Sequence, residues 1–344
     1  MNEQSDYREI SDLTVMAVQP LVSVHMLAYR HERFLAEAIE GVIAQICDFP
    51  IELLIAEDCS PDGTLAIALD YQRRYPHLIR VITGDKNVGM HANSGRSVPA
   101  ARGKYIAFCE GDDCWHHPRK LQMQLTLMTA NPDMVFCHTD FDRRTRIKTS
   151  RRMHRTHPTQ WLAKGNAYLS LLYEWSVMTA TAMYRKDILD AYSTTEFNNA
   201  SWPFGDRNAS LYASLKGSVG YIDESTATYR KVRNSAMNSG VASYLRMPTA
   251  AAECIDLFMK RYPVDEADRR KITARLKVNI YRSAFFAERL DLMQSAFDWL
   301  SANGFHRSRL GHRLRCTAVK LKFPVRLLRA TKNFVDLYVS SIPS

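Results

Sequence analysis

A chain of 344 residues, 46% hydrophobic and 24% charged, is long enough for one large α/β domain and an appendage. It holds no run of eighteen apolar residues, and its first twenty, with Asp6, Glu9 and Asp12, lack the basic start and apolar core of a secretory signal, so the expected location is the cytoplasm. Seven scattered cysteines without a Cys-x-x-Cys pair argue against a disulfide framework or a zinc knuckle, and much of the net charge of +10 gathers in two runs, residues 143–155 and 305–338, which points to anionic partners such as phosphates or a lipid surface.

In chain order, residues 1–20 read as a polar lead-in. Leu21 to Ala28 is the first strand, and Phe34, Leu35, Ala38, Ile39, Val42, Ile43 and Ile46 then mark one apolar stripe of a helix. Ile51 to Ala56 is a second strand that ends in the acidic turn Glu57 to Gly63, where Asp62 or Thr64 caps a helix running to about Tyr75. A short strand, Ile79 to Thr83, precedes Asn87-Val88-Gly89 and a helix to about Ala101, with Gly103 as its C-cap. Alternation of strand and helix predicts a doubly wound, mostly parallel sheet. Further on, Met134 to His138 and Thr179 to Tyr184 read as strands, Arg143 to Arg155 as a basic loop, and Gln160 to Tyr173 as a helix. A helix starts at Asp206, and Val219 to Ile222 and Ala227 to Arg230 are two short strands. Residues 21–235 form the expected catalytic domain and 240–344 a helical C-terminal region, its last helix broken near Pro324.

The stretch around which the rest is organised is Tyr105 to Trp115. Its apolar start reads as a buried strand that stops abruptly in Glu110, Asp112 and Asp113. Ligands of open α/β sheets bind outside the carboxyl ends of the strands, so carboxylates there can hold Mg2+ or Mn2+, which in turn holds a phosphate. No Gly-x-Gly-x-x-Gly follows the first strand and no Gly-x-x-x-x-Gly-Lys-Ser/Thr exists, which disfavours a nicotinamide site and excludes a P-loop. Asp58, at the end of the second strand, is placed to accept hydrogen bonds from a base or ribose. His116 and His117 lie beside Cys109 and Cys114, but no spacing yields four convergent zinc ligands.

Together, Val22 to Tyr29, the Glu57 to Gly63 loop, Asn87-Val88-Gly89, Gly103 to Ile106, Glu110-Gly111-Asp112-Asp113 and Phe204-Gly205-Asp206 resemble glycosyltransferase family 2 over residues 22–230. The resemblance implies a GT-A α/β fold and an inverting, metal-dependent transfer of a sugar from a nucleotide donor, UDP-linked, to a glycan or polyisoprenoid-linked acceptor of a surface polysaccharide. It implies that Tyr29 packs on the nucleobase, that Asp58 hydrogen-bonds it, that Asp112 contacts the ribose or helps to position the metal, and that Asp113 ligates the metal. Asp206 matches the catalytic base. Three departures stand out: Glu57 replaces the usual first carboxylate of its loop, the acidic motif reads Glu-Gly-Asp-Asp, and Leu27 stands two positions before Tyr29 where the family often has a polar residue. Arg230, Lys231 and Arg233 are further candidates for the donor diphosphate.

The tail, Phe305 to Tyr338, holds nine Lys or Arg against one acid, Asp336, interleaved with apolar residues from Leu310 onward, a pattern suited to a helix lying on an anionic bilayer at the inner face of the membrane. Two rival readings exist. A non-enzymatic nucleic-acid binder fits the charge, but the basic runs lack interleaved aromatics and no nucleic-acid motif is present. A nucleotidyltransferase shares the sheet type but needs a glycine-rich basic loop after the first strand, which is missing.

Overall fold

The computed structural model describes residues 7–12, 14–16, 18–232, 243–305 and 309–320. They fall into two compact units divided at Val232, with residues 201–203 grouped with the second. The first unit is built on a mixed sheet of β1 (Tyr7–Ile10), β2 (Val22–Ala28), β3 (Ile51–Glu57), β4 (Ile79–Gly84), β5 (Tyr105–Phe108), β6 (Cys114–Trp115), β7 (Met134–Arg144), β8 (Thr149–Ser150), β9 (Met183–Arg185) and β10 (Ser218–Arg230). Their order is β1-β4-β3-β2-β5-β9-β7-β10-β6, with β8 paired to β7.

The run β4-β3-β2-β5 is parallel, in the register Leu53 opposite Ile79, Val22 opposite Ile51 and Val22 opposite Tyr105. These strands are buried on both faces, which is why they read as continuous apolar runs. The helix Leu35–Ile43 covers one face with the stripe predicted for it, Leu35, Ala38, Ile39 and Val42. β9 runs antiparallel between β5 and β7, and β10 returns parallel to β7. The parallel succession is thus interrupted after β5, and the acid-bearing strand end opens next to that break.

Several local expectations need correction. The polar lead-in contains a strand that its sequence did not suggest: β1 pairs antiparallel with β4, and Glu9 holds Arg80 through a two-point ion pair, Oε1 to Nε at 2.7 Å and Oε2 to Nη2 at 2.9 Å. Burying that arginine requires partners: Glu52 of β3 supplies one, its Oε2 3.1 Å from Nη1, and Glu9 of the N-terminal segment adds a second. Gly103 is not a helix C-cap, since the helix Gly89–Ser97 ends earlier. It lies against β2, where a Cβ would sit 2.5 Å from the Ser23 amide nitrogen, so close approach dictates glycine. The basic segment is no loop but the end of β7, the strand β8 and a short helix, Met153–Thr156. The helix expected from Gln160 reduces to Tyr168–Tyr173, the strand expected at Thr179 begins as a 3-10 turn, Thr179–Thr181, and the last two strands are one, β10, carried through bulges.

One buried cation supports this architecture. Lys120, at the start of the helix Lys120–Ala130, is fully buried, donates from Nζ to Gln124 Oε1 (2.5 Å) and lies 4.2 Å from the centre of the Trp115 ring. Gln124 Nε2 donates to Thr181 O (2.8 Å) and Trp115 Nε1 to Ala180 O (2.8 Å). The 3-10 turn is therefore fastened from two sides.

The second unit contains the helices Ser243–Arg261, Glu266–Phe286, Leu290–Ala302 and Arg309–Lys320. Asp265 caps the second of these by accepting from the Asp268 amide (2.7 Å). In the described part of the basic tail, Val319, His312 and Arg315 are buried. His312 stacks on Phe297 at 4.0 Å, and the Arg315 guanidinium lies over Tyr281 and Phe285. This part packs within its own unit; Leu321 to Tyr338 and the expected break at Pro324 lie outside the described residues. No helix among the described residues is long and apolar enough to cross a membrane.

Candidate active site

Parallel pairing carries the ends of β3, β2 and β5 to one edge of the sheet. From one side, the Asp58 amide donates to Ala28 O (3.0 Å). From the other, the Cys109 and Gly111 amides donate to His25 O (3.1 Å) and Leu27 O (2.9 Å). Asp58 and the acidic loop Glu110 to Asp113 therefore flank the same strand end. Gly111 is required there, because a Cβ would meet His31 Nδ1 at 2.8 Å and Leu27 O at 3.2 Å.

Two non-glycine residues at this edge take left-handed backbone angles, Arg30 (φ 60°) and Cys59 (φ 52°). The turn after β3 is built by Glu57, whose carboxylate accepts from the Cys59 amide (3.1 Å), the Ser60 amide (2.6 Å) and the Thr83 hydroxyl (2.7 Å). Ser60 Oγ then accepts from the Arg30 amide (3.1 Å). Tyr29, 38% exposed, presents its ring to solvent, with the Arg30 guanidinium 5.5 Å from the ring centre.

Asp58 has a structural occupation that sequence reasoning missed. Its carboxylate accepts from Asn87 Nδ2 (2.9 Å), the Val88 amide (2.9 Å) and the Gly89 amide (2.8 Å), and Arg96 lies 3.6 Å away. The buried acid clamps the loop that opens the helix Gly89–Ser97, so the base contact expected of it competes with three bonds already made.

In the acidic loop, Asp113 is buried and its Oδ1 accepts from the Arg230 amide (2.8 Å) at the end of β10. Burial holds its carboxyl well above the usual range, reinforced by Glu110 and Asp112. Asp112 is half-buried, with Oδ1 3.8 Å from His31 Nε2. Burial pushes the pKa of His31 down against the opposing pull of Asp112 and Asp62. Glu110 has a buried Oε2 with no hydrogen-bond partner among the described residues. Its pKa is pushed up to about 8, first by burial, then by Asp112, with a further contribution from Asp206. Three carboxyl groups are thus crowded here without a full complement of donors, and burial and mutual repulsion resist the ionisation of Glu110 and Asp113.

Asp206 opens the helix Asp206–Ser214. Its Oδ2 accepts from the Thr179 hydroxyl (2.5 Å) and its Oδ1 from the Arg207 amide (2.8 Å). Thr179, on the 3-10 turn, also lies near enough to Glu110 to hold its pKa down slightly, and so stands between the helix start and the acidic loop. Nothing in the local sequence marks Thr179, because its partners are distant along the chain.

Arg230 is not free to reach for a ligand. Its Nη1 donates to Asp112 O (3.1 Å) and Asp113 O (3.3 Å), and its Nη2 pairs with Glu37 Oε1 (2.5 Å). Lys231 donates its amide to Arg144 O, and Arg233 lies outside the described residues. His116 is occupied by Thr228 Oγ1 and Ser225 O. Among the described residues, no three His, Cys, Asp or Glu side chains converge as a ready cation cage.

Residues 23–193 match the family model described as Glycosyl transferase family 2. Through this segment the chain belongs to glycosyltransferase family 2. An uncharacterised protein of Mycobacterium bovis is 41% identical over 116 residues, 34% of each chain. TuaG of Bacillus subtilis, which carries the name of a teichuronic acid biosynthesis glycosyltransferase, is 32% identical over 111 residues, 32% of this chain and 42% of its own. The match spans about a third of the length of the first of these relatives. Among solved structures, Staphylococcus aureus TarS 1-349 in complex with UDP-GlcNAc aligns with a TM-score of 0.58 at 15% identity, covering 88% of this chain and 92% of that one. The mannosyltransferase PcManGT of Pyrobaculum calidifontis, in complex with GDP-Man and Mn2+, aligns at 0.56 and 13% identity, covering 93% and 86%. At these identities the likeness establishes the fold: a GT-A α/β domain, mostly parallel on the β4-β3-β2-β5 side, as the family resemblance implied.

Proposed function

We propose that this chain is an inverting glycosyltransferase that moves a sugar from a UDP-linked donor to a hydroxyl of a glycan or lipid-linked acceptor in surface-polysaccharide assembly. The observation that carries the reading is the linkage of Asp206 to the acidic loop: a half-buried carboxylate, aimed by Thr179 and the Arg207 amide, close enough to Glu110 to act on it electrostatically. TarS was solved with a UDP-sugar and TuaG is named for a surface polymer, which supports this donor class and this setting.

Sugar transfer breaks the bond between the anomeric carbon and the phosphate oxygen, leaving both electrons on the diphosphate, while the acceptor oxygen bonds the same carbon from the opposite face and loses its proton. Asp206 takes that proton, a role worth ~10² to 10⁴ in rate. Attack opposite the leaving group inverts the anomeric centre. Tyr29 offers its exposed ring to the nucleobase at the β2 end. Asp58 serves through the Asn87–Gly89 loop that it holds, and Asp112 faces the ribose side.

The donor set suits a hard cation. Magnesium takes only one or two protein carboxylates and fills its shell with water and phosphate oxygens, so a converging cage is not required. The unpaired Glu110 Oε2 and the mutual repulsion of Glu110, Asp112 and Asp113 mark a place where positive charge is missing. Asp113, with Asp112 beside it, would hold Mg2+ or Mn2+, and PcManGT, solved with Mn2+, supports that assignment. When bound, the ion supplies charge neutralisation of the leaving diphosphate.

The test is a thermal-shift panel of nucleotide sugars with and without Mn2+, followed by UDP release with the Asp206→Asn variant. The variant should retain the donor-dependent shift and lose turnover by a hundredfold or more. Turnover near wild type would remove Asp206 from the role of base, and a panel without any UDP-sugar response would remove the donor assignment.

A further inference from the structure

The segment Arg143 to Arg155 takes no part in the site, yet it is built with care. β7 runs on to Arg144, turns, and pairs back as β8, with Arg143 opposite Ser150 and Arg144 opposite Thr149. The Thr145 amide donates to Lys148 O (2.8 Å), and the Thr145 hydroxyl oxygen accepts from the amides of Ile147 (3.3 Å) and Lys148 (3.1 Å). The tip is therefore held in one shape. On it stands Ile147, 94% exposed, against 67% for Val18 and 59% for Ile46. A single exposed aliphatic is unremarkable on a protein surface. This one is fixed at the end of a finger, in a segment that also exposes Arg144, Arg146, Lys148, Arg151 and Arg155.

The segment contains no acid, and the neighbouring carboxylates are spent elsewhere. Asp142 accepts from the Arg152 amide and the Ser225 hydroxyl, and Asp140 from the amides of Phe141 and His154. Asp223 and Glu224 both engage Arg152, and Glu37 pairs with Arg230 and Arg144. Arg146, Lys148, Arg151 and Arg155 have no carboxylate partner among the described residues. We propose that this hairpin is a docking finger for an anionic lipid bilayer, its cations meeting the headgroups and Ile147 entering the interface. A phosphate-rich polymer would satisfy the cations but leave the isoleucine in water, and the hairpin offers no aromatic ring for a base to stack on. The finger grows from the strand pair that ends at the site: Arg144 registers with Arg230, whose amide holds Asp113. Docking would turn the acidic edge toward a membrane-borne acceptor. That consequence rests on the transferase reading, whereas the docking itself does not.

The experiment is flotation of the full chain with phosphatidylcholine vesicles containing or lacking phosphatidylglycerol, at physiological salt. Each cation near such a surface contributes roughly fivefold to partitioning, so replacing Arg146, Lys148 and Arg151 by Gln should lower binding to the anionic vesicles by about a hundredfold. Ile147→Ser, which changes no charge, should lower it several-fold while leaving retention on a polyphosphate column unchanged. Absence of binding by the wild-type chain, or equal partitioning of the triple variant, would overturn the proposal. So would an Ile147→Ser variant that floats like wild type, since the surface would then read polyanions in general.

Discussion

Replacing Lys120 by Met should change how stability depends on pH more than it changes the fold. Burial pushes the pKa of this lysine from its ordinary 10.5 down to about 7, opposed in part by the neighbouring Cys137 and Cys109 thiols. The unfolded chain then holds the Lys120 proton more tightly than the folded one, so this residue makes stability rise with pH between about 7 and 10.5 and contributes no slope below 7. Each tenfold difference in proton affinity is worth about 1.4 kcal/mol, so between pH 7 and pH 10 the wild type should gain about 3 to 4 kcal/mol that Lys120→Met does not. Methionine approximates the volume and flexibility of the lysine stem and keeps contact with the Trp115 ring, while Gln124 loses one partner at a cost of ~1 kcal/mol. The assay is urea unfolding of both proteins across that range, reading the difference between them, because cysteines and tyrosines elsewhere titrate equally in both. Unfolding curves that stay a constant distance apart would refute the claim that Lys120 is buried at the expense of its charge.

Three further outcomes follow from the site. Asp58→Ala leaves the amides of Val88 and Gly89 and the Asn87 side chain without their charged acceptor, and should destabilise the first unit by about 2 to 4 kcal/mol while weakening the donor-dependent thermal shift; an intact shift would separate the Asn87–Gly89 loop from donor binding. Thr179→Val removes a donor to Asp206 at nearly constant volume, and should lower kcat about tenfold with the donor KM unchanged, as steady-state UDP release would show; unchanged kcat would make the bridge incidental. Gly103→Ala drives a methyl group into the Ser23 backbone and should cost about 1 to 3 kcal/mol in chemical denaturation; a neutral effect would mean that β2 and the Gly103 segment separate more easily than their contact suggests.

How far a feature was legible depended on the reach of the force behind it. β2, β3 and the acidic end of β5 were readable because strand burial on two faces writes itself as a short apolar run, and termination in acids is visible within three residues. The helix Leu35–Ile43 was readable for the same reason, through its stripe. β1 was not: its four residues are only half-buried or exposed, and they become a strand because β4 offers them an edge and Glu9 adds a second acid to Arg80 beside Glu52. The hairpin ending in β8 hid within a charged segment whose cations mask its pairing. Gly103 was misread because a glycine that ends a helix and one that admits a neighbouring strand look alike in one dimension.

By itself the sequence determined the chemistry available at the sheet edge: which strands end in carboxylates, and that Asp206 stands at a helix start within a family 2 pattern. Local propensity and hydrophobic period suffice for that, because they act over a few residues. Only the tertiary structure decided what each group is occupied with: Asp58 with the Asn87–Gly89 loop, Arg230 with the backbone of the acidic loop, Asp206 with Thr179, twenty-seven positions away. A hydrogen bond has no memory of sequence separation. Its partner is whatever the packed core leaves within about 3 Å.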